Sequence, residues 1–173
     1  MISENWKNWI TEEDLRVCIR CKKLHGKLFS LHAPFDDPDI PLHDRCRCEF
    51  KPVQSIYAGT ATTKGIDGAD WWLQNIGELP NYYISREEAV AKGWNRLLGN
   101  LHEVLPGKMI YGGVFNNRHR QLPIAPGRIW YEADINYVQG YRNDERILFS
   151  NDGLIFITRN HFKTYSEVIP GGE

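Results

Sequence analysis

Residues 130–149 read WYEADINYVQGYRNDERILF, two extended runs rich in Trp, Tyr, Ile, Leu and Phe that meet near Gln139 and Gly140. Alternation along a strand puts Glu132, Asp134 and Asn136 on one face and Tyr131, Ala133, Ile135 and Tyr137 on the other. The second run contributes Arg142, Asp144 and Arg146. The pattern predicts a β-hairpin, and a turn centred near Gln139 sets Glu132 opposite Arg146 and Asp134 opposite Asp144. The second pairing brings like charges together across the strands, a conflict that a bulge or a longer loop relieves. A carboxylate beside arginines stays ionised at neutral pH and accepts a proton, and the same arginines bind an anion lying over that face. A base beside an anion clamp is what RNA transesterification needs. A surface salt-bridge ladder, which contributes little, is the ordinary reading of such a face, so the hairpin needs further residues before it implies chemistry.

Those residues lie on either side. His161, in TRNHFKT, sits at a turn between two apolar runs, where a general acid is expected. FNNRHRQLP at 115–123 is a polar, loop-like stretch of the kind that reads a base with backbone amides and an arginine. Upstream, DGADWWLQNIGELP predicts a helix stopped at Gly77. SREEAVAKGW predicts a second, because Ser85 and Glu88 form a capping box, and NLHEVLPGK predicts a short third, stopped at Pro106 and Gly107. After Lys108 the runs shorten into strands: IYGGVF, RIWYEADINY, RILFS, LIFIT and FKTYSEV. Helices followed by consecutive strands predict an α+β fold, with N-terminal helices packed on an antiparallel sheet.

The chain has 173 residues, 42% hydrophobic and 25% charged, as expected of a globular protein. Nothing approaches the roughly 18 consecutive apolar residues of a membrane span, and MISENWKNWI has no signal-peptide pattern. A net charge of −1 excludes a generally basic nucleic-acid binder and leaves only local clusters to do that work.

Trp6, Trp9 and Ile10 recur at helical spacing, so a short amphipathic helix is expected within residues 1–15. All four cysteines fall in the first 48 residues: CIRC at 18–21, then HDRCRC at 43–48. Two close pairs this far apart have the layout of a closed structural zinc site. The expected ligands are Cys18, Cys21, Cys46 and Cys48, with His43 as an alternative fourth. Two disulfides remain the other reading. Small polar residues at 54–66 read as a linker. The expected organisation is therefore a Cys/His-rich unit at 1–53, a linker at 54–66 and a second domain at 67–169.

The stretch CIRCKKLHGKLFS followed by PLHDRCRCEFKP resembles the C-terminal cysteine motif of phage Mu F-like head-morphogenesis proteins, over roughly residues 14–53. From about Ile66 to Val168 the chain resembles the barnase-like family of bacterial guanyl-specific ribonucleases, through LPNYYISREEA, GWNRLLGNL, LPGK, FNNR, EADINY, GYRNDERILFS and NHFKT. That resemblance implies a microbial ribonuclease fold and an endoribonuclease that forms a 2′,3′-cyclic phosphate without a catalytic cofactor. By position, Glu132 matches the general base, His161 the general acid, and Arg142 and Arg146 the phosphate-binding arginines. Arg86 stands where the family has an active-site lysine. Asn117 and Arg118 match the guanine-recognition loop, with Asn116 and His119 beside them as substrate-binding candidates. Asp134 matches a carboxylate that orients the arginines, and Trp94 and Trp130 match core aromatics.

The departures bear on specificity. His119 replaces the carboxylate that pairs with the guanine edge, Gly113 replaces an aspartate, Gly153 replaces a tryptophan, and Phe162 replaces a tyrosine that touches phosphate. Residues 67–168 carry 11 Lys and Arg against 12 Asp and Glu, so attraction for RNA is expected to be weaker than in a basic enzyme. The two resemblances together imply the toxin module of a phage-derived or secreted system, a monomer delivered to a target cell and acting in its cytoplasm. They also imply a dedicated barstar-like inhibitor. Two alternatives stay open: a non-catalytic phage head or adaptor module that keeps the fold as a binding surface, and a zinc-dependent nuclease using the Cys/His cluster.

Overall fold

The computed structural model describes residues 1–12, 14–32 and 38–171. It divides into two compact units, residues 1–55 with 117–127, and residues 56–116 with the segment from Arg128 onward. The segment 117–127, which sequence places inside the 67–169 domain, groups with the first unit.

In the first unit, strand β1 (Ile2–Ile10) lies between β2 (Leu28–Ser30) and β3 (Glu49–Tyr57), antiparallel to both. The amphipathic helix expected within residues 1–15 is therefore replaced by a strand. Trp9 is fully buried against Phe29 and Phe50, with ring centroids at 6.1 and 5.3 Å. Its partners come from remote parts of the chain, and a register shift between Ile2 and Lys7 breaks the simple alternation that marks a strand. Residues 54–57 of the expected linker continue β3. APFDDPDIP at 33–41, whose sequence reads as an irregular excursion between the two halves of the Cys/His cluster, lies largely outside the described residues. Helix α1 (Ile19–Leu24) begins at Cys18, whose Sγ accepts the Cys21 N–H at 3.4 Å. In the 117–127 segment, Asn117 closes a loop by bonding Leu122 through both side-chain atoms, Nδ2 to its carbonyl at 2.9 Å and Oδ1 from its N–H at 3.1 Å.

The second unit contains helices α2 (Ala69–Asn75), α3 (Arg86–Ala91) and α4 (Leu101–Val104). Its strands are β4 (Tyr83–Ser85), β5 (Met109–Phe115), β6 (Trp130–Asp134), β7 (Arg146–Ser150), β8 (Ile155–Thr158) and β9 (Ser166–Ile169). They lie in the order β9-β8-β7-β6-β5-β4, antiparallel except for the parallel pair β4 and β5. This is the expected α+β class. Ser85 caps α3 by accepting the Glu88 N–H at 3.2 Å, as the capping box predicts. Ala69 and Leu73 of α2 pack on Ala133, Ile135, Ile147, Ile155, Ile157 and Val168, each large aliphatic chain contributing about 1.5–3 kcal/mol by burial. Asp70, fully buried, accepts the N–H groups of Gly59 and Ala61 at 2.7 and 2.9 Å and the Thr62 hydroxyl at 3.0 Å. A second core gathers Ile84, Ala89, Trp94, Leu101, Ile110 and Tyr137.

One parity of the sheet thus faces α2. The other parity carries Trp130, Glu132 and Asp134 on β6, Arg146, Leu148 and Ser150 on β7, and Phe156 and Thr158 on β8. The register differs from the expected hairpin. Asp134 pairs with Arg146, and Glu132 pairs with Leu148. The loop 135–145 is long instead of tight, which removes the Asp134–Asp144 clash. Asn136, at φ +60°, starts its reversal, and Asn143 Nδ2 donates to the Ile135 carbonyl at 2.9 Å to hold its ends together.

Candidate active site

Glu132 lies in the middle of β6 and is buried. Its Oε1 accepts a hydrogen bond from Arg86 Nη2 at 2.7 Å. Arg86 is the first residue of α3, so the Ser85 cap that starts the helix also sets the position from which the guanidinium reaches the strand. Gly112 of β5 lies beside the same carboxylate, at a register shift between Tyr111 and Gly113. A β-carbon on Gly112 would stand 2.6 Å from Glu132 Oε1. Tyr165 is buried nearby: burial first, and the Glu132 charge with it, push its phenol above the ordinary value.

Asp134 is almost fully buried and carries both Arg142 of the loop and Arg146 of β7. Arg142 donates to it from Nε at 2.7 Å and Nη2 at 2.6 Å, a bidentate pair, and Arg146 Nε approaches Oδ1 at 3.1 Å. Arg146 Nη1 donates to the carbonyls of Asn143 and Glu145 at 2.6 and 2.7 Å. The Asp134 hydrogen bonds raise Arg142 further above its ordinary pKa, whereas burial lowers Arg146. The arginines are therefore fastened by their Nε edges to a scaffold carboxylate. Arg142 Nη1 and Arg146 Nη2 take no part in these bonds. Arg86, Arg142 and Arg146 gather about Glu132 and Asp134, and guanidinium donors of this kind favour an anion.

His161 and Phe162 occupy the connection between β8 and β9, both with positive φ, +55° and +68°. Consecutive side-chain-bearing residues in the left-handed region need support from their surroundings. His161 N–H donates to the Asp144 carbonyl at 3.0 Å and Phe162 N–H to Thr158 Oγ1 at 3.0 Å. Asn160 braces the turn, bonding Thr158 and Thr164. The His161 imidazole is exposed. Phe162 stacks on Phe115 at 5.3 Å, so its ring is held flat on its neighbour.

The structure brings together Arg86 with Glu132, Arg142 and Arg146 with Asp134, and His161 with the Asp144 end of the loop that bears Arg142. Asn116 follows β5. Asn117, Arg118 and His119 belong to the first unit, with Asn117 turned inward on Leu122 and Arg118 and His119 exposed. Gly112, Asn143, Asn160 and Tyr165 are site neighbours that the sequence reading passed over. For Gly112 a signal existed, since a glycine inside a strand pattern marks a bulge or a close backbone approach.

A separate cluster occupies the first unit. The donor atoms of Cys18, Cys21 and His43 lie within 4.8 Å of one another, as do those of Cys21, Cys46 and Cys48. His43 Nε2 stands 3.1 Å from Cys18 Sγ and 3.0 Å from Cys21 Sγ, and its Nδ1–H donates to the Asp44 carbonyl at 2.7 Å. That second bond leaves Nε2 as the metal-facing lone pair, the arrangement typical of a ligating imidazole. All four cysteines are free thiols, and Cys21 and Cys46 are 3.9 Å apart at sulfur, far beyond a disulfide bond. These five donors match a structural zinc ion in chemistry, and four of them fill its coordination.

The sequence profile of the ribonuclease family matches residues 68–169. A ribonuclease from Heyndrickxia coagulans is 46% identical over 108 residues, covering 62% of this chain and 99% of that protein. Ribonucleases from Bacillus intermedius and Bacillus pumilus are each 46% identical over 108 residues, 62% of this chain and 67% of theirs.

Proposed function

The chain belongs to the ribonuclease family, and on that premise we propose that it cleaves single-stranded RNA by transesterification at the Glu132 face of the sheet. The observation that carries this reading is the paired geometry on β6, where Glu132 is held by Arg86 and, two residues on, Asp134 is clamped by Arg142 and Arg146. Glu132 takes the proton of the ribose 2′-hydroxyl as O2′ attacks the adjacent phosphorus. The P–O5′ bond breaks, and His161 in its imidazolium form gives a proton to the departing O5′. The product is a 2′,3′-cyclic phosphate, which water opens with the two roles exchanged. Arg86, Arg142 and Arg146 stabilise the charge that builds on the phosphoryl oxygens, and their fixed positions mean that little reorganisation accompanies that charge. The nucleophile belongs to the substrate, so DNA is inert and the step calls for no metal. Asn116, Asn117, Arg118 and His119 are the residues proposed to meet the base, and Phe162 borders the phosphate.

The Cys/His cluster has a different role in this reading. Zinc held by Cys18, Cys21 and His43, with Cys46 or Cys48 as the fourth ligand, staples a unit whose own hydrophobic core is small. A closed four-ligand set has no open position for a catalytic water. The organisation proposed is a zinc-stapled unit at about 1–53, joined through 54–66 to the ribonuclease domain. The phage Mu F-like motif supports a delivered toxin acting in the target cytoplasm. An enzyme of this kind endangers the cell that makes it, so a barstar-like inhibitor with an acidic surface is proposed to cover Arg86, Arg142, Arg146 and His161.

The test is incubation with RNA and with DNA, each with and without EDTA, for the wild type and His161→Ala. RNA-only cleavage that survives chelation and is lost in the variant supports the proposal. Intact RNA at high enzyme concentration contradicts it, and chelator-sensitive DNA cleavage contradicts it in favour of metal chemistry at the cysteine cluster.

A further inference from the structure

Helix α1 ends with Lys22 and Lys23 in its last turn. The chain then reverses at Gly26, φ +78°, and Lys27 leads into β2. Segment 118–121 of the same unit is hydrogen-bonded along this turn: Gln121 accepts the Leu28 N–H at 2.8 Å, and its Nε2 donates to the His25 carbonyl at 3.4 Å. A cleft of about 600 Å³ opens between them, lined by Lys22, Lys23, Lys27, Arg118 and Arg120, with His25 and His119 on its walls and no carboxylate among the lining residues.

This concentration of charge is a matter of placement. Residues 1–55 are formally neutral, with nine Lys and Arg and nine Asp and Glu. Yet three lysines from one turn and two arginines from one loop converge on a single concavity. Lys22 and Lys23 are also tied to the cysteine cluster, since their helix α1 begins at Cys18 and contains Cys21.

We infer that this cleft binds the phosphate backbone of single-stranded RNA, as an accessory site that grips substrate beyond the nucleotides undergoing cleavage. The inference rests on the RNA-cleaving function proposed above. Arg118 and His119 belong both to the proposed base-reading loop and to the cleft wall, so a strand engaged by the loop continues over Lys22, Lys23 and Lys27. Histidine rings on the walls offer surfaces on which bases stack. Backbone neutralisation with stacking is the general mode of single-strand binding. It also gives a chain with a net charge of −1 a way to attract a polyanion that its overall charge does not supply.

The full-length protein is compared with a Lys22→Ala/Lys23→Ala/Lys27→Ala variant and with the charge-keeping Lys→Arg triple. Turnover is measured on a dinucleotide and on a long single-stranded RNA across a salt series, and binding is measured on an uncleavable single-stranded DNA oligonucleotide. The alanine variant is expected to lose about tenfold or more in kcat/KM on long RNA. It should keep dinucleotide turnover, and its log–log salt dependence should be shallower by about 2, at roughly 0.7 for each phosphate no longer neutralised. The arginine triple should behave as wild type. Oligonucleotide binding and long-RNA turnover unchanged by the alanine substitutions overturn the inference and leave the cleft to an acidic protein. A parallel fall on both substrates also overturns it. Failure of the ribonuclease reading itself looks different: wild type would cut neither RNA substrate while still binding the oligonucleotide through these lysines.

Discussion

Gly112 lies so close to Glu132 that a β-carbon on the glycine would stand 2.6 Å from Oε1 and 2.7 Å from Cγ of the glutamate. The proposed base has its position because the neighbouring strand offers no side chain there. Substituting Gly112→Ala forces Glu132 off its rotamer and away from Arg86, at a cost of about 0.5–1.5 kcal/mol in side-chain strain. The expected result is a small fall in melting temperature and a loss of about tenfold or more in kcat/KM on a dinucleotide. Full activity in this variant would show that the Glu132 position is not critical.

Asp134 anchors two arginines, and removing it leaves a buried Arg146 and a half-buried Arg142 without their shared partner. Breaking a buried ion pair in this way costs about 3–5 kcal/mol. Asp134→Ala is expected to shift the urea midpoint by a corresponding amount and to lower RNA cleavage, because Arg142 loses its bidentate hold. A variant as stable as wild type would mean that the loop 135–145 holds the arginines by its own bonds.

These two residues also show what the sequence disclosed. Parity alone put Glu132 and Asp134 on one face, and capping alone started α3 at Ser85, because both depend on residues a few positions apart. The register was hidden. The length of the 135–145 loop is set by like-charge avoidance and by Asn136 and Asn143, whose side-chain bonds have no periodic signature. Strand β1 read as a helix because Trp6 and Trp9, three residues apart, match the helical period and not the strand alternation, and because β2 and β3, which pair with it, are remote. Strand β4 is three residues long, too short for any alternation to register. The carboxylates and arginines of the candidate site were legible as residue types. Their pairing was not, since Arg86 reaches Glu132 from a helix 46 positions away.

The zinc proposed for the first unit has a structural role in this reading, and its removal tests that role. One metal ion per chain is expected by elemental analysis, lost in Cys21→Ser, whose sulfur lies in both donor groups. Chelation should unfold residues 1–55 locally, read as lost amide protection in β1 and β2, while dinucleotide cleavage persists. A metal-free protein with unchanged protection would remove zinc from the account, and dinucleotide cleavage lost with the metal would give the ion a catalytic part.

His119 is the residue proposed to set the choice of base. With an imidazole in place of a carboxylate, the enzyme is expected to discriminate less sharply between guanine and other bases at the cleaved nucleotide than a carboxylate-bearing site does. His119→Glu should raise the ratio of kcat/KM for guanine-containing over adenine-containing dinucleotides by about tenfold or more, a hydrogen-bonded carboxylate contributing about 1.5–3 kcal/mol. An unchanged ratio would place base selection on other residues.

The most direct measurement is the identity of the product formed from a short RNA with a single cleavable nucleotide. A 2′,3′-cyclic phosphate end appearing before the 3′-phosphate is predicted, together with no cleavage when that nucleotide is 2′-deoxy and loss of the cyclic product in both Glu132→Gln and His161→Ala. A 5′-phosphate product, or cleavage of the 2′-deoxy substrate, would contradict transesterification at Glu132.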